Sequence, residues 1–105
     1  MDGQMKKGVL EMCILSIISR DSPYGYEITK RIRSFFPDVN DSTIYGILRR
    51  LRSDHSVEVF HGEQSNGPVR KYYKITPQGE QALSSALDSW QQITKSVSAI
   101  CTLAK

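Results

Sequence analysis

The residues best suited to chemistry lie in one short stretch near the middle of the chain, from Asn40 to Leu51. Its apolar residues recur at three- and four-residue steps, which predicts a helix with one buried stripe. Between the apolar positions stand Ser42, Thr43, Tyr45, Gly46, Arg49 and Arg50. Hydroxyls and a phenol exchange hydrogen bonds with base edges, and guanidiniums bind phosphate oxygens. The stretch therefore has the composition of a helix that enters a DNA groove.

Several of these side chains also have an alternative role. The ring of Tyr45 could pack on the hairpin that follows in the chain instead of meeting DNA. Gly46 inside a helix costs about 1 kcal/mol relative to alanine, so it serves either a close approach to DNA or close helix packing. Arg49 and Arg50 lie in the later turns of the helix, which favours contacts with phosphates over contacts with bases.

The positive charge of the chain is concentrated around this helix. Between Lys30 and Lys74 there are nine basic residues and five acidic ones, whereas from Pro77 onwards the counts are two and two. The formal net charge is only +3, so its distribution says more than its total. A solvated basic face would explain this distribution, and so would an electrostatic surface for nucleic acid.

A second basic cluster lies on a predicted β-hairpin. Segments 57–61 and 69–75 are rich in β-branched and aromatic residues in an alternating pattern, and a turn-rich stretch, 62–68, separates them. Tyr72 and Tyr73 point to opposite faces of the return strand, so one of them is expected in the core. Arg70 and Lys71 follow the tip; they either remain solvated or contact the sugar-phosphate backbone.

Three helices precede the hairpin and would position both clusters. They are predicted over residues 5–20, 24–36 and 41–54. Ser22 can cap the second helix with Pro23 at its first position, and Asn40 is a favoured cap for the third. Two helices joined by a short turn and followed by a hairpin make a winged helix-turn-helix, expected over residues 1–76.

A long helix is predicted after the hairpin, from Pro77 to about Leu103, with Thr76 as its cap. Its seam residues recur at alternating four- and three-residue steps, as in a coiled coil: Leu83, Leu87, Trp90, Thr94, Val97 and Cys101. The first helix is apolar over more than half of its surface, so it too needs a second cover. The fold class is therefore α+β, mostly α, and residues 77–105 are expected to form a dimerisation helix.

The sequence offers little to an enzyme. His55 and His61 are its only histidines, and it shows no nucleophile–base–orienter set and no glycine-rich phosphate loop. The spacing of Cys13 and Cys101 suits neither a metal site nor a disulfide framework, and no cofactor is expected. The first apolar run contains Glu11 and is too short to span a membrane. A cytoplasmic protein that does not enter the membrane is expected.

Three motifs in chain order combine into a pattern that spans nearly the whole chain. They are Tyr24-Gly25-Tyr26-Glu27, then Ser42-Thr43-Ile44-Tyr45 with Leu48-Arg49-Arg50-Leu51, then Arg70-Lys71-Tyr72-Tyr73-Lys74-Ile75-Thr76 with Gly79. Together they resemble the PadR family of transcriptional regulators, and the length resembles its short branch, which includes multidrug-sensing repressors. Gly46 and Arg52 stand where proline and glutamate are common in the family, and His55-Ser56 replaces a usual glycine and apolar residue.

The resemblance implies a winged-helix homodimer that binds double-stranded DNA. With the composition arguments above, the expected DNA contacts are Tyr24, Ser42, Thr43, Tyr45, Gly46, Arg49, Arg50, Arg70 and Lys71. In the multidrug-sensing members a tryptophan at the position of Trp90 lines a pore between subunits that binds flat aromatic compounds. The expected ligand residues are Trp90, Thr94, Met12 and Ser16. The expected dimer interface contains Val9, Cys13, Leu83, Leu87, Val97 and Cys101.

These expectations combine into a homodimeric repressor that binds a pseudo-palindromic operator, one half-site per subunit. A flat aromatic ligand at the dimer interface would release it from DNA, although Trp90 could equally be a plain core or dimer contact. The alternative function is a protein–protein adaptor with the same fold and no DNA-binding role. The central basic cluster argues against the adaptor.

Overall fold

The computed structural model describes residues 3–62 and 70–103 and places four helices and one two-stranded antiparallel sheet along them. The helices are α1 (Gly3–Asp21), α2 (Gly25–Phe35), α3 (Asp41–Ser53) and α4 (Pro77–Leu103). The strands are β1 (Val57–Gly62) and β2 (Arg70–Ile75). The mostly helical α+β class is confirmed, whereas residues 63–68 of the predicted hairpin tip lie outside the described residues.

A single hydrophobic core holds the helices and the sheet together. In α1, α2 and α3 the buried side chains recur every three or four residues, so each helix turns one apolar stripe inwards. The core consists of Leu10, Ile14, Leu15, Ile18, Ile28, Ile32, Val39, Ile44, Ile47, Leu48, Leu51, Val57, Tyr73 and Leu83. Burial of the apolar stripe of α3 leaves its polar residues on the outside of the domain.

The start of α2 differs from the prediction. The helix begins at Gly25 with Tyr24 as its N-cap, after the two residues predicted to start it. Ser22 has a φ of 48°, in the left-handed region, so it belongs to the turn that leaves α1. The carbonyl oxygen of Pro23 accepts a hydrogen bond from the backbone N–H of Tyr73 at 3.0 Å. Pairing with β2 therefore takes precedence over the local capping signal.

The first turns of α4 are anchored to the winged part of the molecule. The hydroxyl oxygen of Thr76 accepts from the backbone N–H of Gly79 at 3.0 Å and donates to the carbonyl oxygen of His55 at 2.7 Å. A side chain at Gly79 would collide with the carbonyl oxygen of Ser56, so only glycine allows this close junction. Leu83 is the residue of α4 that is buried in the core.

Beyond Leu83, α4 extends away from the core. The described residues measure 60 × 30 × 20 Å, with a radius of gyration of 15.8 Å. A compact domain of this length is expected near 13 Å, and the excess comes from the protruding helix. Within the described residues, we find no helix that is both long and apolar enough to cross a membrane.

Candidate nucleic-acid interface

The front of α3 holds its hydroxyl groups in one small network. Asn40 is the N-cap, and its Oδ1 accepts from the backbone N–H of Thr43 at 2.9 Å. The same oxygen accepts from the hydroxyls of Ser42 and Thr43 at 2.8 and 2.9 Å. All three side chains are exposed, and each hydroxyl oxygen keeps its capacity to accept a further hydrogen bond. The front of α3 thus presents oriented polar groups of the kind that read base edges.

Tyr45 lies between the exposed face of α3 and the start of α2. Its side chain is 38% exposed, and the covered part of the ring lies against Gly25, where an added Cβ would come within 3.3 Å of it. The ring of Tyr73 lies on the same glycine. Burial, and secondarily the nearby phenol of Tyr45, raises the pKa of Tyr73, so Tyr73 remains a neutral core residue. Tyr45 both packs on α2 and keeps an edge available outside.

The arginines of α3 differ in their partners. Nη2 of Arg50 lies 2.6 Å from Oε2 of Glu11 on α1. Arg49 and Arg52 are exposed, and neither takes part in an ion pair within the described residues. Among the described residues Arg49 thus has no acidic partner, and its guanidinium lies near Gly46. Arg50 would have to exchange Glu11 for a phosphate in order to bind DNA.

A groove of about 540 Å³ separates the front of α3 from the N-terminal part of α1. Residues from α3 line one side of it, and Lys6 and Lys7 of α1 line the other. No local pattern pointed to these lysines, because they lie far from α3 in the chain and belong to no motif. The fold brings these lysines to the groove that Ser42, Thr43 and Gly46 also line, which adds positive charge to this side of the helix.

Arg70 and Lys71, the predicted basic pair of the hairpin, lie on opposite faces of β2. Lys71 shares a face with the buried Tyr73, whereas Arg70 shares a face with Tyr72. The guanidinium carbon of Arg70 lies 4.5 Å from the centre of the Tyr24 ring. Tyr24, predicted as a DNA contact, is thus in contact with a predicted DNA-binding arginine.

A second groove, of about 670 Å³, runs between α1 and α4. It brings together three of the predicted ligand residues, Met12, Trp90 and Thr94, with two of the predicted dimer residues, Val9 and Val97. Its walls are mainly apolar and it is open to the outside. An open apolar groove of this kind suits either a flat hydrophobic ligand or a helix of a second chain.

The remaining ligand and dimer residues lie apart from this groove. Ser16 lines a neighbouring groove of about 450 Å³ with Cys13 and Leu87. Leu83 is buried in the core of its own chain, so its packing is satisfied without a partner. Cys101 is exposed near the end of α4. Burial raises the pKa of the Cys13 thiol, which keeps this side chain an uncharged apolar contact.

Comparison with known proteins decides what this arrangement is. Residues 14–85 match the model of the transcriptional regulator PadR-like family. The chain belongs to the PadR-like family. A PadR-like transcriptional regulator from Bacillus cereus is 38% identical, with a TM-score of 0.85 over 94% of this chain and 97% of that one. A Streptococcus transcriptional regulator is 31% identical, with a TM-score of 0.86 over 94% and 98% of the two chains. An uncharacterized protein from Lysinibacillus sphaericus is 34% identical in an alignment of 92 residues, with 83% of each chain covered.

Membership of the family makes this PadR-like protein a DNA-binding transcriptional regulator rather than an enzyme. Its helix-turn-helix consists of α2 and α3, and its wing consists of β1 and β2. The polar front of α3, the free Arg49 and the lysines of α1 lie on the outside of the winged fold. They form the candidate nucleic-acid interface.

Proposed function

We propose that this PadR-like regulator is a cytoplasmic homodimeric repressor that binds a pseudo-palindromic operator, with one half-site for each subunit. The observation that carries the proposal is the front of α3, where Asn40 orients the exposed hydroxyls of Ser42 and Thr43 in a groove that Lys6 and Lys7 also line. Base edges need such donors and acceptors, and the flanking phosphates need cations.

In this proposal the polar residues at the start of α3 and the basic residues around it contact different parts of the DNA. Ser42, Thr43 and Tyr45 contact base edges or the adjacent sugar from the first turns of the helix. Lys6, Lys7 and Arg49 bind phosphates on the two sides of the groove that α3 enters, and Arg70 and Lys71 bind phosphates from the two faces of the wing. Gly46 allows the helix to approach closely because it adds no side chain between these groups.

The dimer is proposed to form through α4, with residues 1–76 as the DNA-binding unit and residues 77–105 as the dimerisation unit. Support comes from the apolar side chains that α4 leaves uncovered. Leu87, Trp90, Ile93, Val97 and Ile100 are between 38% and 66% exposed. A continuous row of large apolar residues on one protruding helix is typical of a surface that a partner covers.

The α1–α4 groove supports a further part of the proposal, which is release from DNA by a flat aromatic ligand as in the multidrug-sensing branch. Trp90 offers a flat stacking surface beside Met12 and Thr94. A ligand in this groove would change how α1 and α4 pack, and hence the separation of the two α3 helices in the dimer. Such coupling between sites typically amounts to about 1–3 kcal/mol.

The proposal is tested by selecting bound sequences from random duplex DNA and titrating the selected operator with salt. Five phosphate-binding cations per subunit predict a slope of about −9 in a plot of log affinity against log salt concentration for the dimer. The selected sequences should be pseudo-palindromic. Binding that depends on neither salt nor sequence would favour the protein–protein adaptor instead.

The ligand step is tested in the same system by adding planar cationic aromatic compounds. Because Trp90 is the only tryptophan, its fluorescence reports directly on the α1–α4 groove. We expect quenching together with a loss of operator affinity. Quenching without a change in operator affinity would identify binding that is not coupled to DNA, and the absence of quenching at any soluble concentration would contradict the ligand proposal alone.

A further inference from the structure

An aromatic cluster covers the outer face of the wing and is not needed for the core. The ring of Tyr72 stacks on Phe60, with the ring centres 5.5 Å apart, and meets the edge of Tyr24 at 5.8 Å. Tyr26 lies beyond Tyr24, at 6.3 Å. Arg70 completes the cluster, because its guanidinium lies 4.5 Å from the centre of the Tyr24 ring.

The backbone around Tyr24 is fixed on both sides. Tyr24 forms an antiparallel bridge with Tyr72 of β2, and the preceding Pro23 accepts from the backbone N–H of Tyr73 at 3.0 Å. The backbone N–H of Tyr24 also donates to Oε1 of Glu27 at 3.3 Å. The backbone of Tyr24 is thus held both at the start of α2 and by the wing, so its ring has a defined position.

Arg70 has few other contacts among the described residues. Its partner across the sheet is Gly62, which contributes no side chain, and the ring of Tyr72 lies against that glycine. Arg70 is exposed and forms no ion pair within the described residues. Among the described residues, the Tyr24 ring is therefore the surface against which its guanidinium lies.

Stacking on an aromatic face leaves the functional edge of an arginine free. The five N–H donors of a guanidinium lie in the plane of the group, so a ring beneath that plane does not compete for them. Phosphate oxygens accept two parallel hydrogen bonds from this edge. A restrained guanidinium loses less conformational freedom on binding than a free one does.

We propose that Tyr24 is a positioning residue that holds Arg70 of the wing in the orientation in which it binds a DNA phosphate. Tyr24 was expected to contact DNA itself, and its place beneath Arg70 gives it an indirect role instead. The inference rests on the proposed function, because Arg70 needs DNA as its partner. It also explains why arginine rather than lysine occupies the position, since an ammonium group can neither stack nor form the paired contact.

Operator affinity of four single variants tests the proposal. Tyr24→Phe keeps the ring and should bind the operator within about twofold of the wild type. Tyr24→Leu removes the ring and should weaken binding roughly 2- to 12-fold, the range that corresponds to ordering one long side chain on binding. Arg70→Lys keeps the charge and should weaken binding at least as much. Tyr26→Leu is the matched control, an exposed tyrosine of the same helix with no contact to Arg70, and should bind like the wild type.

Two further measurements separate positioning from general stability. In a double-mutant cycle, Tyr24→Leu should weaken binding much less when Arg70 is already alanine. By NMR of the free protein, the Nε–H proton of Arg70 should be shifted upfield by the ring current in the wild type and in Tyr24→Phe, but not in Tyr24→Leu. Melting temperatures of all variants identify any loss of fold, and Arg70→Lys alters only an exposed side chain.

The outcomes distinguish the two proposals. If the wild type binds no DNA, the proposed function fails. If the wild type binds DNA and Tyr24→Leu, Tyr26→Leu and Arg70→Lys all match it, the positioning role is overturned while the proposed function stands. Additive losses in the double-mutant cycle would likewise overturn it, since they would show that Tyr24 acts independently of Arg70.

Discussion

Gly46 has the lowest helix propensity of the residues in α3. A Cβ added there would meet only Nη2 of Arg49, at the ordinary contact distance of 3.8 Å. Close packing within the chain therefore does not require glycine, although the sequence left that reason open. Under the proposed function, close approach of α3 to DNA supplies a reason, and Gly46 lines the same groove as Ser42 and Thr43.

Gly46→Ala should consequently separate stability from function. We expect the free energy of unfolding to rise by about 1 kcal/mol, because alanine favours the helical state, and operator affinity to fall, because the methyl group lies where α3 approaches DNA. Denaturant unfolding at a fixed protein concentration and a gel shift with the operator measure the two effects. Ser85→Ala, on the exposed side of α4, is the control for helix propensity. Unchanged operator affinity would place Gly46 outside the interface.

The residue scale is also where the sequence was least informative. Residues three or four apart within one helix, such as Ser42 and Tyr45, could be assigned to a shared face from helical periodicity. Lys6 and Lys7 could not, because only tertiary packing brings α1 beside α3. The role of Tyr24 depends on a contact between α2 and the wing, and no spacing within the chain specifies that contact.

At the scale of elements, one ion pair links α1 to α3. Glu11 is mostly covered, with 22% of its side chain exposed, and Arg50 is 47% exposed. A half-exposed pair of this kind contributes modestly to stability, up to about 1 kcal/mol. The pair has a larger consequence for DNA binding. Arg50 was predicted to bind a phosphate, and in the free protein its guanidinium is paired with Glu11.

Glu11→Gln should therefore have opposite effects on stability and binding. We expect the free energy of unfolding to fall by about 0.5 kcal/mol with the loss of the charged partner. Operator affinity should rise and the salt dependence should steepen, by about 0.9 for each Arg50 that gains a phosphate. Salt titrations of the gel shift measure this slope.

Asp38→Asn is the matched control for that variant, because Asp38, like Arg50, lines the groove between α1 and α3 and pairs with no arginine in the described residues. It removes one negative charge near α3 without releasing Arg50, so its effect on the salt slope should be smaller. A fall in operator affinity for Glu11→Gln would show instead that the pair acts as a support that orients α3.

Element boundaries followed local signals except where tertiary contacts intervened. Asn40 and Thr76 cap their helices as predicted, since capping is decided within four residues. His55, which stands where a glycine is usual in the family, adopts a left-handed φ of 61°. The predicted start of α2 was wrong, because the hydrogen bond between Pro23 and β2 could not be inferred from the sequence. The predicted length of α4 was confirmed. It could be predicted because the apolar periodicity of this segment continues without a break.

At the scale of the molecule, α4 extends well beyond the part of the chain that packs on it. Its uncovered apolar residues cost solubility unless a second copy covers them, and a two-fold pair of α4 helices would fix the distance between two α3 helices. Operator spacing, dimer stability and ligand response would then all depend on one surface. In the single chain these apolar residues of α4 stay exposed. Their periodicity in the sequence predicts that a partner covers them, but it does not specify how the two helices would be arranged.

Val97→Glu tests this dependence, because Val97 lies on the α4 seam and is half exposed in the single chain. An uncompensated charge buried at an interface costs about 3–5 kcal/mol, so the dissociation constant of the dimer should rise at least about 100-fold and binding to the full operator should weaken. Sedimentation velocity and gel shifts measure both. Gln92→Glu adds the same charge on the opposite side of α4 and should leave the dimer intact. A Val97→Glu protein that remains dimeric, or a wild type that is monomeric at micromolar concentration, would show that α4 does not set the spacing of the two α3 helices.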